Sequence, residues 1–187
     1  AAHEHQLRVE SLSAREASRR FPALSGLEEA GLSAVFERVA GYLLCEPAVR
    51  AWADQARLQG ATLHTGAAVT SWRMQQDSFL VETEAGSYEA EQLLLCPGAW
   101  APQLLPAEIA RHLIVRRKVL LWYQAGHAFH EETGFPVWLF ELPKGVFYGF
   151  PVRGERGLKI ARHSGGIQVY DALRLDRELH AEDHHDV

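Results

Sequence analysis

The sequence predicts an α+β fold in which antiparallel sheets are combined with helices. Three observations support this class. Two long stretches after residue 60 alternate apolar and polar residues with period two between turn residues, which is typical of strands. Residues 46–60 show helical spacing, and a continuous apolar run occupies residues 93–96. The chain has 187 residues, enough for one large domain or two small ones.

Two helices are predicted in the first third of the chain. Ser13 followed by Glu16 is a capping-box pattern, which opens a short helix over 13–21. A second helix is predicted over 46–60, since Pro47 suits a first helical turn and Gly60 suits the end of a helix. Residues 35–44 between them are predicted to be a strand or an extended segment.

Four short strands are predicted after Gly60, over 61–66, 68–75, 78–86 and 87–96. The last one ends in Leu-Leu-Leu-Cys at 93–96, which is typical of a strand buried on both faces in a parallel sheet. This run leads into Pro97 and Gly98. Open α/β sheets bind ligands where a buried strand ends in such a turn, although a plain strand-to-helix turn has the same pattern.

A second β region follows, with strands predicted over 113–125, 136–143, 145–152 and 157–164 in an antiparallel meander. Aromatic residues are dense in it. Most of them should be core, but a sheet this aromatic could also form the wall of a small-molecule pocket.

The hairpin expected around the turn 152–157 carries three reactive side chains. Strand periodicity places Lys159 and His163 on one face. In the simplest register Tyr148 lies opposite Ala161, and the two basic residues are then its diagonal neighbours at roughly 7–8 Å. The spacing leaves two interpretations open: a solvated face, or a cluster at a binding site.

Composition excludes several classes of function. The chain has 24 acidic and 19 basic residues and a net charge of −5, which argues against a nucleic-acid surface. No apolar stretch approaches the ~20 residues of a membrane span. We also expect no signal peptide. The two cysteines, Cys45 and Cys96, are far apart and lack a metal or redox spacing, so we expect a reduced, cytoplasmic setting.

The last eight residues of the chain are rich in histidine and acidic residues. His180, His184 and His185 lie close to Glu182 and Asp183, which together could bind a metal ion. A solvated, frayed terminal segment explains the same residues, and no metal is assigned.

The order of these blocks resembles the monomeric sarcosine oxidase and N-methyltryptophan oxidase family of FAD-dependent amine oxidases, within the glycine oxidase-like superfamily. The resemblance lies in CPGAW at 96–100 and in YGFP followed by GLK and a histidine at 148–163. The upstream segments LSAREASRRFPAL at 12–24 and GYLLCEPAVRA at 41–51 agree with it.

The resemblance implies a division of the chain into three parts. Residues 1–44 would be the helical part of a substrate domain with a connecting segment. Residues 45–105 would be part of a Rossmann-like FAD domain, and 106–187 would be the substrate-binding antiparallel sheet. The family's GxGxxG unit, which holds the FAD pyrophosphate, occurs nowhere in this sequence. We therefore expect a central fragment of a longer enzyme, with FAD absent from the fragment itself.

The resemblance also assigns roles to individual residues. Lys159 matches a lysine over the flavin that promotes its reoxidation by O2, while His163 and Tyr148 match residues that line the substrate site. Residues matching the surroundings of FAD are Val69, Cys96, Pro97, Gly98 and Trp100. Arg117 matches an arginine that begins a substrate-domain strand, for which we expect a structural role.

The implied activity is oxidation of a secondary or N-methylated amino acid to an imine, with O2 reduced to H2O2. A related flavin dehydrogenase is one alternative, and a non-catalytic binding module is another if the gene encodes only this chain. The expected partners are a small amine or amino acid and O2, without nucleic acid or membrane. Exposed sheet edges in such a fragment could also produce an artefactual dimer.

Overall fold

The computed structural model describes residues 4–187, which divide into two compact units. The first unit comprises residues up to 43, 118–166 and 178–187, and the second comprises 44–117 and 167–177. The strands are β1 (Val9–Ser13), β2 (Ser33–Glu37), β3 (Val69–Gln75), β4 (Ser78–Thr83), β5 (Gly86–Ala90), β6 (Arg116–Arg117), β7 (Leu121–Tyr123), β8 (Trp138–Leu142), β9 (Gly145–Phe150), β10 (Leu158–Arg162) and β11 (Ile167–Gln168). The α-helices are α1 (Ala14–Arg20), α2 (Cys45–Leu58), α3 (Ala101–Leu104), α4 (Ala107–Ala110) and α5 (Ala181–Asp186). The domain boundaries suggested from the sequence, after 44 and after 105, stay predictions.

The first unit begins with an antiparallel hairpin, β1–β2, whose strands flank α1 in the chain. The predicted capping box opens this helix: the Glu16 backbone N–H donates to Ser13 Oγ at 3.3 Å, and the Ser13 N–H donates to the Glu16 carboxylate at 2.9 Å. The hydrogen bonds from the Ser13 side chain and backbone lower the pKa of Glu16. The helix prediction is confirmed, while the strand predicted over 35–44 ends already at Glu37.

A four-stranded sheet dominates the rest of the first unit, in the order β7-β10-β9-β8. All three pairings are antiparallel, so β8, β9 and β10 form the predicted meander. The position predicted for the first strand of the meander was wrong: a meander places it beside β8, whereas β7 pairs with β10 at the other edge of the sheet. The chain between β7 and β8 runs through two 3-10 turns, at 127–129 and 131–133, to the opposite edge of the sheet.

One face of this sheet covers a small hydrophobic core. Its buried members are Phe135, Val152 and Leu158, and the partly buried Trp138 and Ile160 pack against them. Leu158 and Ile160 are two residues apart on β10, so they point to the same face of the strand. The side chain of Lys159 between them therefore points to the other face.

The second unit combines α2 with the antiparallel meander β3-β4-β5. The predicted helix is confirmed, and Gly60 after it adopts a φ of 91°, which suits glycine at a helix end. The Trp72 indole N–H donates to the carbonyl of Leu104 at 2.6 Å and joins β3 to α3. Strands β6 and β11 form a separate short pair.

Three predicted strands differ from the structure. Residues 61–66 contain no strand, and the strand predicted over 113–125 is divided into β6 and β7, one in each unit. The buried strand expected at 93–96 is irregular, with Leu94 86% exposed. A strand needs a neighbour for its backbone hydrogen bonds, and no described residues pair with this run. The parallel sheet of a Rossmann-like domain stays a prediction.

A helix that crosses a membrane needs about 20 mostly apolar residues. Among residues 4–187, no helix is both long enough and apolar enough to cross a bilayer.

Candidate active site

The hairpin β9–β10 has the register that the sequence suggested. Tyr148 lies opposite Ala161, and Lys159 lies opposite Phe150. The same register continues to the tip, where Arg153 and Arg156 form a bridge around Gly154, which has a φ of 57°. A glycine tolerates this backbone conformation without the strain that a Cβ would add, so the turn fixes which side chains share a face.

Lys159 lies between two aromatic rings supplied by the neighbouring strands. Its cross-strand partners are Trp122 on β7 and Phe150 on β9. The Lys159 Nζ atom is 5.3 Å from the centroid of the Trp122 ring and 5.0 Å from that of Phe150. Both distances lie within the range of cation–π attraction. We call this arrangement the lysine bracket: an ammonium group held by two rings on the face opposite the core.

Tyr148 and His163 extend the lysine bracket along the same face. The backbone N–H of His163 donates to the carbonyl of Val146 at 2.7 Å, which continues the ladder beyond the end of β10. The Tyr148 ring meets the His163 ring edge-on, with centroids 6.0 Å apart, and meets the Phe150 ring with centroids 5.8 Å apart. The structure therefore brings all three predicted side chains onto one surface.

This surface remains accessible to a ligand. Trp122 is 51% exposed, and Leu139 on β8, opposite Tyr148, is 55% exposed. A band of apolar and aromatic atoms that contains one cation can bind a flat or anionic molecule. Sequence reasoning missed the positions of Trp122 and Leu139, because both depend on which strands become neighbours.

On the opposite face of β9, a glycine leaves space for a large side chain of the neighbouring strand. Gly149 is buried, and it lies opposite Trp138 on β8 and Ile160 on β10. A Cβ atom at Gly149 would collide with the Trp138 ring and lie 2.7 Å from the carbonyl oxygen of Lys159. The missing side chain thus leaves room for the indole beneath the strand that carries Tyr148 and Phe150.

The residues predicted to contact FAD all lie in the second unit. Val69 begins β3 and is 40% exposed. Cys96 is an exposed thiol, and Pro97 precedes the 3-10 turn Gly98–Trp100. Gly98 has a φ of 55°, with open space where a Cβ would lie, and Trp100 is 45% exposed. This turn leaves its backbone and one indole open to a neighbour.

A second polar group lies in the first unit, and the sequence analysis missed it. The Tyr42 hydroxyl donates to Glu131 at 2.7 Å, and Arg153 Nε lies 3.5 Å from the other carboxylate oxygen. These three residues line a cavity of about 600 Å³. Burial, followed by the hydrogen bond to Glu131, raises the pKa of Tyr42. The Tyr42 ring also meets the Phe150 ring edge-on at 5.7 Å, which connects this cavity to the lysine bracket.

Other predicted positions have structural contacts. The Arg117 Nε–H donates to the carbonyl of Asp176 at 2.9 Å. In the histidine-rich end, Asp183 is 6% exposed and accepts a hydrogen bond from the His180 backbone N–H at the start of α5. Arg117 thus binds the backbone of a neighbouring segment, and Asp183 binds the backbone at the start of its own helix.

Comparison with known proteins identifies the family. A family model described as FAD dependent oxidoreductase, DAO, matches residues 1–184. The chain is 33% identical over 173 residues to N-methyl-L-tryptophan oxidase from Shigella dysenteriae serotype 1 (strain Sd197). The enzyme of the same name from Escherichia coli (strain K12 / DH10B) is also 33% identical over 173 residues. Each alignment covers 92% of this chain and 45% of the relative, so the chain spans less than half of their length.

A solved structure agrees at the level of fold. NikD, described as an unusual amino acid oxidase essential for nikkomycin biosynthesis, matches in its open form with a TM-score of 0.66 and 16% sequence identity. The match covers 100% of this chain and 48% of NikD. Because the family model spans nearly the whole chain, the protein belongs to the FAD dependent oxidoreductase family.

Proposed function

We propose that this chain supplies the substrate-facing sheet of an FAD-dependent amine oxidase that acts on a secondary or N-methylated amino acid. The substrate would lose two electrons and two protons and become an imine, and O2 would take them up to give H2O2. The observation that carries this proposal is the lysine bracket, which holds an ammonium group on the same accessible face as Tyr148 and His163.

Lys159 is the residue we assign to the oxygen reaction. Reduction of O2 creates negative charge, and a cation already held in place stabilises such charge without reorganising at the moment of reaction. The faces of Trp122 and Phe150 restrict the ammonium group to one region of the surface. Lysine on a free surface would instead sample many rotamers and be strongly hydrated.

Tyr148 and His163 are assigned to positioning the substrate. Both rings lie on the face of Lys159, and their edge-on contact limits how far either can rotate. An amino acid bound against this face would meet polar groups from both residues beside the apolar surface of Leu139. Orientation of this kind accelerates a reaction by reducing the loss of entropy on reaching the transition state.

FAD is the cofactor implied by the family, and the exposed residues of the second unit are suited to contact one side of it. Val69 and the turn from Cys96 to Trp100 would contact it, because the turn exposes backbone at Gly98 and one indole at Trp100. When bound, FAD would supply the hydride-accepting chemistry. The sequence contains no GxGxxG loop for the pyrophosphate, so we propose that this chain alone binds FAD weakly or not at all.

Exposed apolar side chains support the further proposal that this chain is one part of a longer enzyme. None of the side chains of α2 is buried, and its Trp52 and Leu58 are 78% and 77% exposed. Leu94, in the run that the sequence predicted as a buried strand, is 86% exposed. Additional chain would cover such residues, and without it they favour self-association of the fragment.

The experiment that tests the function is an amine screen of the longer enzyme with its flavin bound. Sarcosine, pipecolate and N-methyl-L-tryptophan would be supplied in air, and H2O2 would be measured with a peroxidase-coupled dye. Peroxide production with at least one of them is expected. Flavin reduction without peroxide would favour a dehydrogenase, and no reduction by any amine would favour a non-catalytic module.

A further inference from the structure

We propose that His127, His130 and Glu132 form a binding site for a divalent cation of the zinc class. The three side chains lie between β7 and β8 and offer two imidazole nitrogens and one carboxylate oxygen, all within 4.8 Å of one another. None of these residues takes part in the proposed oxidase reaction, so the site stands independently of it.

The spacing of the ligand atoms is close to that of a zinc site. Nδ1 of His127 and Nδ1 of His130 each lie 3.7 Å from Oε1 of Glu132. In a tetrahedral zinc site with bonds of ~2.0–2.1 Å, neighbouring ligand atoms are ~3.4 Å apart. The two histidine ligand atoms lie within 4.8 Å of each other, so binding a zinc ion also requires the two imidazoles to turn towards a common point.

The local backbone explains why the two histidines lie together. His127 begins the 3-10 turn His127–Phe129, and His130 follows directly after it, about one turn further along the chain. Their ring centroids are accordingly 5.3 Å apart. A second 3-10 turn, Glu131–Thr133, begins immediately and brings Glu132 back beside both rings.

The loop that carries these ligands is anchored at several points. The Thr133 hydroxyl donates to the carbonyl of His130 at 2.7 Å. Val152 forms backbone hydrogen bonds to the residues on both sides of His130. The Val152 N–H donates to the carbonyl of Phe129 at 2.9 Å, and the Glu131 N–H donates to the carbonyl of Val152 at 3.0 Å. Binding a cation therefore requires little ordering of the backbone, which reduces its entropic cost.

The donor set favours zinc over magnesium or calcium. Imidazole nitrogen is a good ligand for Zn²⁺, whereas Mg²⁺ and Ca²⁺ prefer oxygen ligands throughout. His127 and Glu132 have side chains 74% and 72% exposed, so a hydrated ion can reach them directly. Three protein ligands leave the fourth position to water.

Titration of the chain with ZnCl2 by calorimetry tests the proposal, with the H127Q variant compared to the H184Q variant. His127 and His184 are both exposed histidines, but only the first belongs to the proposed site. We expect one zinc per chain, affinity weakened at least tenfold in H127Q, and unchanged affinity in H184Q. Equal affinity in the wild type and H127Q, or loss of binding in H184Q, would overturn the proposal.

Thermal unfolding separates ligand loss from misfolding. Without zinc, H127Q and E132Q should unfold at the temperature of the wild type, since both side chains are largely exposed. With excess zinc, the unfolding midpoint should rise in the wild type and in H184Q and stay constant in H127Q and E132Q. A zinc-dependent rise of the same size in all four proteins would exclude this site.

Discussion

The Lys159 ammonium group and the Trp122 indole are directly paired across β10 and β7, with Nζ 5.3 Å from the ring centroid. Backbone pairing places the Lys159 Cα opposite Trp122, and cation–π attraction then favours an ammonium position close to the ring. A cation held in this way can act at a fixed point on the face that also carries Tyr148.

Replacement of Lys159 by Met should slow reoxidation of the reduced flavin by O2 in the flavin-bound enzyme. We expect a loss on the order of 100-fold, because one preorganised charge is removed from the site of developing negative charge. Stopped-flow absorbance measures this step separately from anaerobic reduction by substrate, which should be nearly unchanged. Lys144 lies in the turn before β9, so Lys144→Met is the matched control. Equal slowing of both half-reactions would contradict the assignment.

The isolated chain should not behave as a flavoprotein. Without a GxGxxG loop, the FAD pyrophosphate lacks the backbone donors and helix end that normally hold it. Equilibrium dialysis against FAD and the visible spectrum of the purified chain measure binding, and heat-denatured chain gives the background. A stoichiometric yellow complex would show that Val69 and the turn at Gly98 suffice without that loop.

Gly149→Ala should destabilise the first unit by about 1–3 kcal/mol, the usual cost of overpacking. The new methyl group would collide with the Trp138 ring, and the indole has the core cluster on its other side. The midpoint of urea unfolding measures this loss. Gly126→Ala is the control, because a Cβ at Gly126 meets no atom within 4 Å. Equal stability of the two variants would mean that Trp138 can move aside freely.

Tyr42 should make stability fall at alkaline pH. Burial and the hydrogen bond to Glu131 raise its pKa in the folded chain. The unfolded chain therefore loses this proton first, at pH about 10, and stability declines from there through the higher folded pKa. Urea midpoints at pH 9 and pH 11 measure the decline, which Tyr42→Phe should reduce. The control is Tyr170→Phe, since Tyr170 is 86% exposed, and a decline unchanged by Tyr42→Phe would contradict the assignment.

Local rules predicted the parts of the fold that depend on neighbours in the chain. The capping box of Ser13 and Glu16 opens α1, and period two together with a glycine turn gives the register of Tyr148 with Ala161. These contacts join residues that are close in sequence, so their geometry follows from backbone rules alone.

Other features depend on residues that are distant in the chain. Trp122 reaches Lys159 only because β7 joins the far side of β10, and Tyr42 meets Glu131 across the first unit. The apolar run at 93–96 resembles a buried strand, but hydropathy does not specify a pairing partner. The sequence therefore predicted the hairpin that carries the candidate site and missed the second ring of the lysine bracket.

The order β7-β10-β9-β8 has a consequence for how this sheet assembles. Strands β8, β9 and β10 are joined by short turns, so their contacts can form early. Strand β7 must close a long loop before it meets β10, and we expect it to dock last. Pulse-labelling hydrogen exchange during refolding should then protect the amides of β9 before those of β7. Until that final step, Lys159 would have an aromatic neighbour on one side only, so the candidate site would be complete only after β7 has docked.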